Sequence, residues 1–513
     1  MGAGAIGLSA AAWGQPPTER RPNIVVIMCD DMGYSDIGCY GGEIPTPNID
    51  RLARGGMRFT QFYNAARCCP TRAALLTGTY PHMAGMGGMV HGDDSRSGPY
   101  QGYLAPDTVT LAEALRPAGY RAYMSGKWHV GEHKPHWPLN RGFERYFGLV
   151  NGGANYWNIE KTKAPGVKRQ LVRRDEVWQQ PTDGSFYMTD AFSDHAVEVI
   201  DGHGESSEPF LHYVAYTAPH WPLHAWPEDI ERNRGRYRKG WDTLRNERYE
   251  RMVEMGIIDP AWDLSPRDHR ALPWRDVEDK DLMELKMAVY AAQIECMDRG
   301  IGRILDALER NGQADNTLVL FLSDNGACHE SGPLGFDRRN NGVPCGREDS
   351  YMSYGLSWAN ASNTPFRQFK HWIHEGGIST PLIAHWPGHI EPGSWTSQTG
   401  HVIDIMATCL DLAEAEYPQE HGGRAVRPLQ GRSLVPVVEG GAREPHEFLA
   451  WEHYGNRGIR NGRWKLVADS EGAWELYDLE ADRTELHDLS KDRPEKAQDL
   501  EDRYHAWCER VGV

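Results

Sequence analysis

The strongest constraint in this sequence is a pair of short, unbroken apolar runs that each end in acidic or amide side chains. Asn23-Ile24-Val25-Val26-Ile27-Met28 leads into Asp30-Asp31, and Leu318-Val319-Leu320-Phe321-Leu322 leads into Asp324-Asn325-Gly326. Apolar runs of this length without polar alternation predict strands buried on both faces, as in a parallel sheet covered by helices. Ligands bind beyond the carboxyl ends of such strands. If the two strands are parallel neighbours, Asp30, Asp31, Asp324 and Asn325 converge at one edge of the sheet. Three carboxylates so placed are unfavourable without compensation. A divalent cation relieves them, and an all-oxygen donor set favours calcium or magnesium over zinc. For either pair taken alone, aspartates that cap turns after strands are the competing explanation.

The remaining pattern alternates helices with strands. Thr46-Pro47 starts a helix, with Thr as N-cap and Pro in the first turn, that ends at Gly55-Gly56. A helix from Thr110 to Pro117 precedes the strand Tyr120 to Met124. Phe210 to Tyr216 reads as a further strand, and an amphipathic helix from Met287 to Arg310 precedes the strand Thr317 to Leu322. The expected fold is α/β: a large, mostly parallel mixed sheet flanked by helices. Residues 150–190 and 225–280 break the rhythm and are expected to wall a substrate pocket or lie as surface excursions. The Trp-rich segments near Tyr156-Trp157 and from His220 to Trp226 suit a sugar platform or an aromatic slot, and equally the core. Beyond about residue 445, four short segments (Phe448 to Glu452, Gly458 to Arg460, Trp464 to Ala468, Trp474 to Tyr477) precede a helix from Pro494 to Arg510. They predict a small C-terminal antiparallel sheet covered by one helix. The expected organisation is a tail over 1–21, a catalytic domain over 22–440 and a C-terminal subdomain over 441–513.

Composition excludes more than it selects. A formal net charge of -17 argues against a nucleic-acid binder. No run approaches the roughly 18 to 20 apolar residues of a membrane span. The first fifteen residues form a small-residue apolar stretch with Ala10-Ala11-Ala12, similar to the later part of an export signal but without its basic start. Export to a periplasmic or extracellular compartment is the expectation, with a simple tail as the alternative. The nine cysteines are irregularly spaced and include no Cys-x-x-Cys, so zinc is disfavoured. Cys29, Cys296 and Cys409 read as buried thiols.

Cys68 stands apart. The segment Cys68-Cys69-Pro70-Thr71-Arg72-Ala73-Ala74-Leu75-Leu76-Thr77-Gly78 reads as a helix entered at Pro70, which places Cys68 just outside a helix N-terminus that favours negative charge. Arg72 can fold back to the same point. A thiolate nucleophile, a disulfide partner and a modified residue all remain open on position alone. Three more clusters, Lys127-Trp128-His129, Pro219-His220 and Arg367 to Lys370, would suit an anion held beside a metal.

Together these segments resemble the type I sulfatases of the alkaline phosphatase-like superfamily. Cys68-x-Pro70-x-Arg72 followed by Ala73-Ala74-Leu75-Leu76-Thr77-Gly78 resembles their first signature, and Gly119-Tyr120 through Gly131 their second. Asp30-Asp31, Ala218-Pro219-His220, Asp324-Asn325, Lys370 and the C-terminal Leu476-Tyr477-Asp478-Leu479 fall in matching order. Thr71 stands where Ser is usual. The resemblance implies that a maturation enzyme oxidises Cys68 to formylglycine; Cys69 lacks a proline two residues on. It implies one calcium ion held by Asp30, Asp31, Asp324, Asn325 and the modified Cys68. In the implied mechanism the hydrated formylglycine attacks sulfur with Asp324 as proton acceptor. His220 and Lys370 serve the departing alcohol, His129 assists sulfate release, and Arg72 and Lys127 hold charge. The implied substrates are aryl or carbohydrate sulfate esters. Phosphonate monoester hydrolases and phosphodiesterases of the same superfamily are the nearest rivals.

Overall fold

The computed structural model describes residues 21–91, 95–204 and 206–513; apart from Arg21, the export-signal stretch lies outside them. The apolar run expected at the start forms β1 (Asn23–Asp30), whose eight residues are all buried. It lies between β7 (Phe210–Pro219) and β8 (Thr317–Ser323) and is parallel to both. Beyond β7 come β3 (Arg121–Gly126) and β4 (Arg145–Leu149), also parallel. On the other side β9 (Ser379–His385) joins β8 antiparallel, followed by β2 (Met57–Tyr63), β10 (Ser394–Thr396) and β11 (Gly400–His401). The sheet has 11 strands, parallel at its centre and mixed at both ends. Neither β2 nor β9 has a counterpart in the sequence reading.

Alternation divides the core into two layers. Val25, Ile27 and Cys29 pack with residues of α1 (Pro47–Arg54), α4 (Met188–His203) and α7 (Lys280–Arg310) on one face of the sheet. Ile24, Val26 and Met28 pack on the other with α2 (Cys68–Thr77), α3 (Leu111–Leu115) and the C-terminal sheet. Each such side chain contributes about 1.5–3 kcal/mol by leaving water. The helix expected from Met287 starts two turns earlier, because Asp279 caps it by accepting from the Leu282 amide at 2.9 Å. The helix expected from Thr110 to Pro117 is shorter: Thr110 and Glu113 close a capping box, but Pro117 cannot continue the ladder and Arg116–Ala118 is 3-10.

The two irregular stretches contain regular structure. Within 150–190, β5 (Leu171–Arg173) and β6 (Glu176–Trp178) extend the sheet antiparallel from β4. Within 225–280 lie α5 (Pro227–Asn233) and α6 (Gly240–Glu254), with Trp241 and Leu244 fully buried. A two-residue ladder joins β12 (Glu420–His421) to β13 (Arg424–Ala425). The C-terminal antiparallel sheet runs β14 (Leu449–His453), β15 (Asn456–Asn461), β16 (Trp464–Ala468), β17 (Glu475–Asp478), and the helix Pro494–Val511 covers it.

A buried ionic cluster joins this sheet to the main one. Lys465 on β16 reaches Glu375 Oε1 at 2.9 Å and Glu485 Oε1 at 2.7 Å, while Arg483 meets Glu375 Oε2 at 3.1 Å. Tyr63 at the end of β2 donates to the same Glu375 oxygen at 2.9 Å. Glu375 follows directly on the loop that carries Lys370, so this cluster also anchors that loop. Lys465→Met leaves Glu375 and Glu485 short of a shared cation and is expected to cost about 3–5 kcal/mol in urea denaturation. A loss below about 1 kcal/mol would mean that the cluster does not fasten the two sheets.

Candidate active site

The candidate residues converge at the carboxyl edge of the parallel strands. Asp30 ends β1 and Asp31 follows it with φ of 69°, a left-handed turn that sends its side chain across the edge. Its amide donates to Asp324 Oδ1 at 3.3 Å, tying the ends of β1 and β8 together. Lys127 and His129 follow β3, and His220 follows β7. The segment after β3 is not simply extended, since His129 has φ of 56°. Cys68 is the first residue of α2 rather than a residue outside it, because the helix already begins before Pro70.

All ten residues singled out in the sequence (Asp30, Asp31, Cys68, Arg72, Lys127, His129, His220, Asp324, Asn325 and Lys370) are at most 6% exposed, so their charges must be balanced locally. Lys127 pairs with Asp30. Arg72 grips Asp324 through Nε at 3.2 Å and Nη2 at 2.8 Å, and its Nη1 donates to the Lys127 carbonyl at 2.9 Å. Lys370 lies 2.6 Å from Asp31 Oδ1, and His220 Nε2 lies 3.5 Å from Asp31 Oδ2.

The electrostatics follow from this pairing. Burial raises the proton affinity of Asp31, but Lys370 and His220 outweigh it and hold the carboxyl well below the usual range. Burial and the neighbouring Asp30 push Asp324 up to about 7, against Arg72 and Lys127. Burial also raises the Cys68 thiol above its ordinary value, although Lys127 and Lys370 oppose it. A thiolate nucleophile is therefore disfavoured at neutral pH. Cys68 is also not a disulfide partner, since all nine cysteines are free. His129 and His220 are both pushed down, chiefly by burial, and are neutral at pH 7.

The donor set fits a hard divalent cation. Asp30 Oδ1, Asp31 Oδ2 and Asn325 Oδ1 are buried and accept no hydrogen bond, an arrangement that costs free energy unless a cation completes it. Asn325 is held for this by its own amide, which donates to Asp31 Oδ1 at 2.8 Å. Ligand atoms of Asp30, Cys68 and Asp324 lie within 4.8 Å of one another, as do those of Asp30, Asp31 and His220. With Asp30, Asp31 and Asp324 set against Lys127, Arg72 and Lys370, the cluster is formally neutral; a divalent cation, if held there, would give it the net positive charge that an anion needs.

Comparison with known proteins identifies the family. A sulfatase family model matches residues 22–415, and the C-terminal model of N-sulphoglucosamine sulphohydrolase matches 366–507. The chain is 35% identical over 451 residues to an arylsulfatase of Klebsiella aerogenes, covering 85% of this chain and 96% of that one. The chain belongs to the sulfatase family. It is a sulfuric ester hydrolase of the alkaline phosphatase-like fold. An N-acetylgalactosamine-6-sulfatase of Rattus norvegicus is 30% identical over 443 residues, 85% of this chain and 68% of that one. Among solved structures, Ps i-CgsB in complex with k-i-k-neocarrahexaose superposes with a TM-score of 0.71 at 28% identity, covering 95% of this sulfatase and 92% of that chain.

Several residues at the site had no sequence signal strong enough to find them. Tyr213 on β7 lies 3.4 Å from Arg72 Nη1. Gly152 and Gly153 leave room for the two histidines: a Cβ on Gly152 would sit 2.5 Å from the His129 ring, and one on Gly153 3.1 Å from His220 Cε1. The Gly-Gly pair was the available hint, hidden in an irregular stretch. At the rim, Glu330 accepts from Arg67 at 3.1 Å and from Trp221 Nε1 at 3.0 Å. Trp157 and Trp226 pack edge to face at 4.4 Å and line a cavity of about 350 Å³ that includes none of the candidate residues.

Calcium is expected to raise the unfolding midpoint of the wild type, by about 2.7 kcal/mol of stability at a hundredfold excess over its Kd. Asp31→Asn is expected to shift the calcium concentration of half-effect upward by about 10-fold or more. An unchanged calcium response in that variant would remove Asp31 from the ligand set.

Proposed function

We propose that this sulfatase hydrolyses aryl or carbohydrate sulfate monoesters using calcium and a formylglycine made from Cys68 by a maturation enzyme. One observation carries the reading: buried carboxylate and amide oxygens without partners lie beside Cys68 at the start of α2, ringed by Arg72, Lys127 and Lys370. Calcium, held by Asp30, Asp31, Asp324, Asn325 and residue 68, would supply the positive charge that draws and polarises the sulfate oxygens. Formylglycine, once hydrated, would supply one hydroxyl to attack sulfur and a second through which sulfate can leave, which a serine could not.

The chain's own residues prepare that chemistry. Asp324 takes up the proton of the attacking hydroxyl, positioned for it by the two-pronged grip of Arg72. Arg72 and Lys127 are fixed cations that stabilise charge as it moves onto oxygen without having to reorganise. His220 Nδ1 is anchored by the Trp221 carbonyl at 2.5 Å, which leaves Nε2 directed at the edge where Lys370 and Asp31 meet. His220 and Lys370 there meet the departing alcohol. His129, two residues beyond Lys127 and with Nδ1 unpartnered, assists release of sulfate. The protein is expected to be exported before it acts. Among the described residues no helix is long and apolar enough to cross a membrane.

The test is sulfate release from 4-nitrophenyl sulfate and from sugar sulfates by protein whose Cys68 conversion is verified by mass spectrometry. Calcium-dependent release is expected, with Cys68→Ala inactive and Cys68→Ser stalling after a single turnover. Converted protein that ignores sulfate esters and cleaves an aryl phosphonate would overturn the reading in favour of the phosphonate hydrolases.

A further inference from the structure

A second set of cations stands at the mouth of the site and takes no part in the mechanism above. Arg169 is half-buried, and its Nε donates to the Gly153 carbonyl at 2.6 Å. Gly153 packs on His220, where a Cβ would lie 3.1 Å from Cε1. On the other side of His220 stands Trp221, its ring centroid 4.7 Å away. Arg338 lies over that indole, with its guanidinium carbon 5.2 Å from the ring centroid. Each arginine therefore touches a direct neighbour of the histidine that faces the leaving group.

Neither arginine is neutralised. Among the described residues no carboxylate lies within ion-pair distance of Arg169, Arg338 or Lys163. The nearest candidate at the rim, Glu330, has both oxygens engaged by Arg67 and Trp221. Partial burial, then Arg169 and Arg338, push the Lys163 ammonium below its usual value, and the more weakly acting Glu330 and Glu132 do not offset them. The chain as a whole carries a net charge of -17 with 72 acidic residues, so a group of cations left without acidic partners goes against its composition. Like charges gathered without counter-ions are costly, and an anion placed between them relieves the cost.

We propose that Arg169 and Arg338, with Lys163 beside them, form a subsite for a second anionic group on the substrate, a sulfate or carboxylate borne by the leaving alcohol. The inference rests on the sulfatase reading and narrows its substrate class from sulfate monoesters in general to esters with an additional anion. The subsite lies on the leaving-group side, so it selects among alcohols while Arg72, Lys127 and Lys370 handle the sulfate that is cleaved. Lysine in place of Arg338 keeps the charge but not the guanidinium's contact with the Trp221 ring.

Binding to the full chain carrying Cys68→Ala, which cannot turn over, reads the subsite directly. Calorimetry would compare inorganic sulfate with sucrose octasulfate, which offers a second sulfate at every spacing. Octasulfate is expected to bind at least about 10-fold more tightly than sulfate, with the preference shrinking as salt rises. Adding Arg169→Gln and Arg338→Gln should lower the ratio of the two affinities by about 10-fold, and Arg169→Lys with Arg338→Lys should restore part of it. An unchanged ratio, or equal loss for both ligands, overturns the subsite. The two readings fail separately. Converted wild type that hydrolyses 4-nitrophenyl sulfate while its blocked form shows no octasulfate preference keeps the sulfatase chemistry and loses the subsite. The preference without hydrolysis of any sulfate ester does the reverse.

Discussion

The structure depends on bringing like charges together in a place without water. Asp30, Asp31 and Asp324 are buried at one sheet edge and would repel each other strongly there. Lys127, Arg72 and Lys370 meet them one for one, and each comes from a different part of the chain. The cations arrive from the end of β3, the second turn of α2 and the loop before β9. The sheet order β9-β8-β1-β7-β3 is what makes those arrivals coincide. A change in the register of any of these strands would leave a carboxylate buried without its partner.

This balance also sets the chemistry. A formally neutral nest with unpartnered oxygens is a poor place for an anion and a good place for a divalent cation. With a cation added, the same nest would suit a sulfate ester. Burial then acts in opposite directions on neighbouring groups. It raises Asp324 and the Cys68 thiol and keeps His129 and His220 neutral, while Lys370 keeps Asp31 ionised. Groups of one chemical type, such as Asp31 and Asp324, thereby acquire opposite proton affinities. The C-terminal sheet takes part through Glu375, whose buried pairing with Lys465 and Arg483 anchors the loop bearing Lys370. A side chain some hundred residues from the motifs thus helps to place a residue of the site.

Much of this was legible in the sequence, for identifiable reasons. Continuous apolar runs could only be strands covered on both faces, and the acidic residues after them could only lie at the carboxyl edge. The helix around Pro70, though not its start at Cys68, the parallel core and the C-terminal antiparallel sheet followed from local pattern, and the order of the motifs pointed to the sulfatase family. What remained hidden shares one property: it depends on contacts between distant segments. The antiparallel strands β2 and β9, the edge strands in the stretch 150–190, and the clearance that Gly152 and Gly153 give the two histidines have no local signature.

The sequence by itself determined which side chains are available and which strands carry them, because periodicity and turn chemistry act over a few residues. Tertiary structure alone decided that Lys370 faces Asp31, that Arg72 grips Asp324 rather than residue 68, and that Glu330 is already engaged while Arg169 and Arg338 have no carboxylate partner. Pairing among buried charges is set by distances of a few ångströms between segments up to 339 residues apart. No periodicity along the chain encodes such distances; only the packed sheet does.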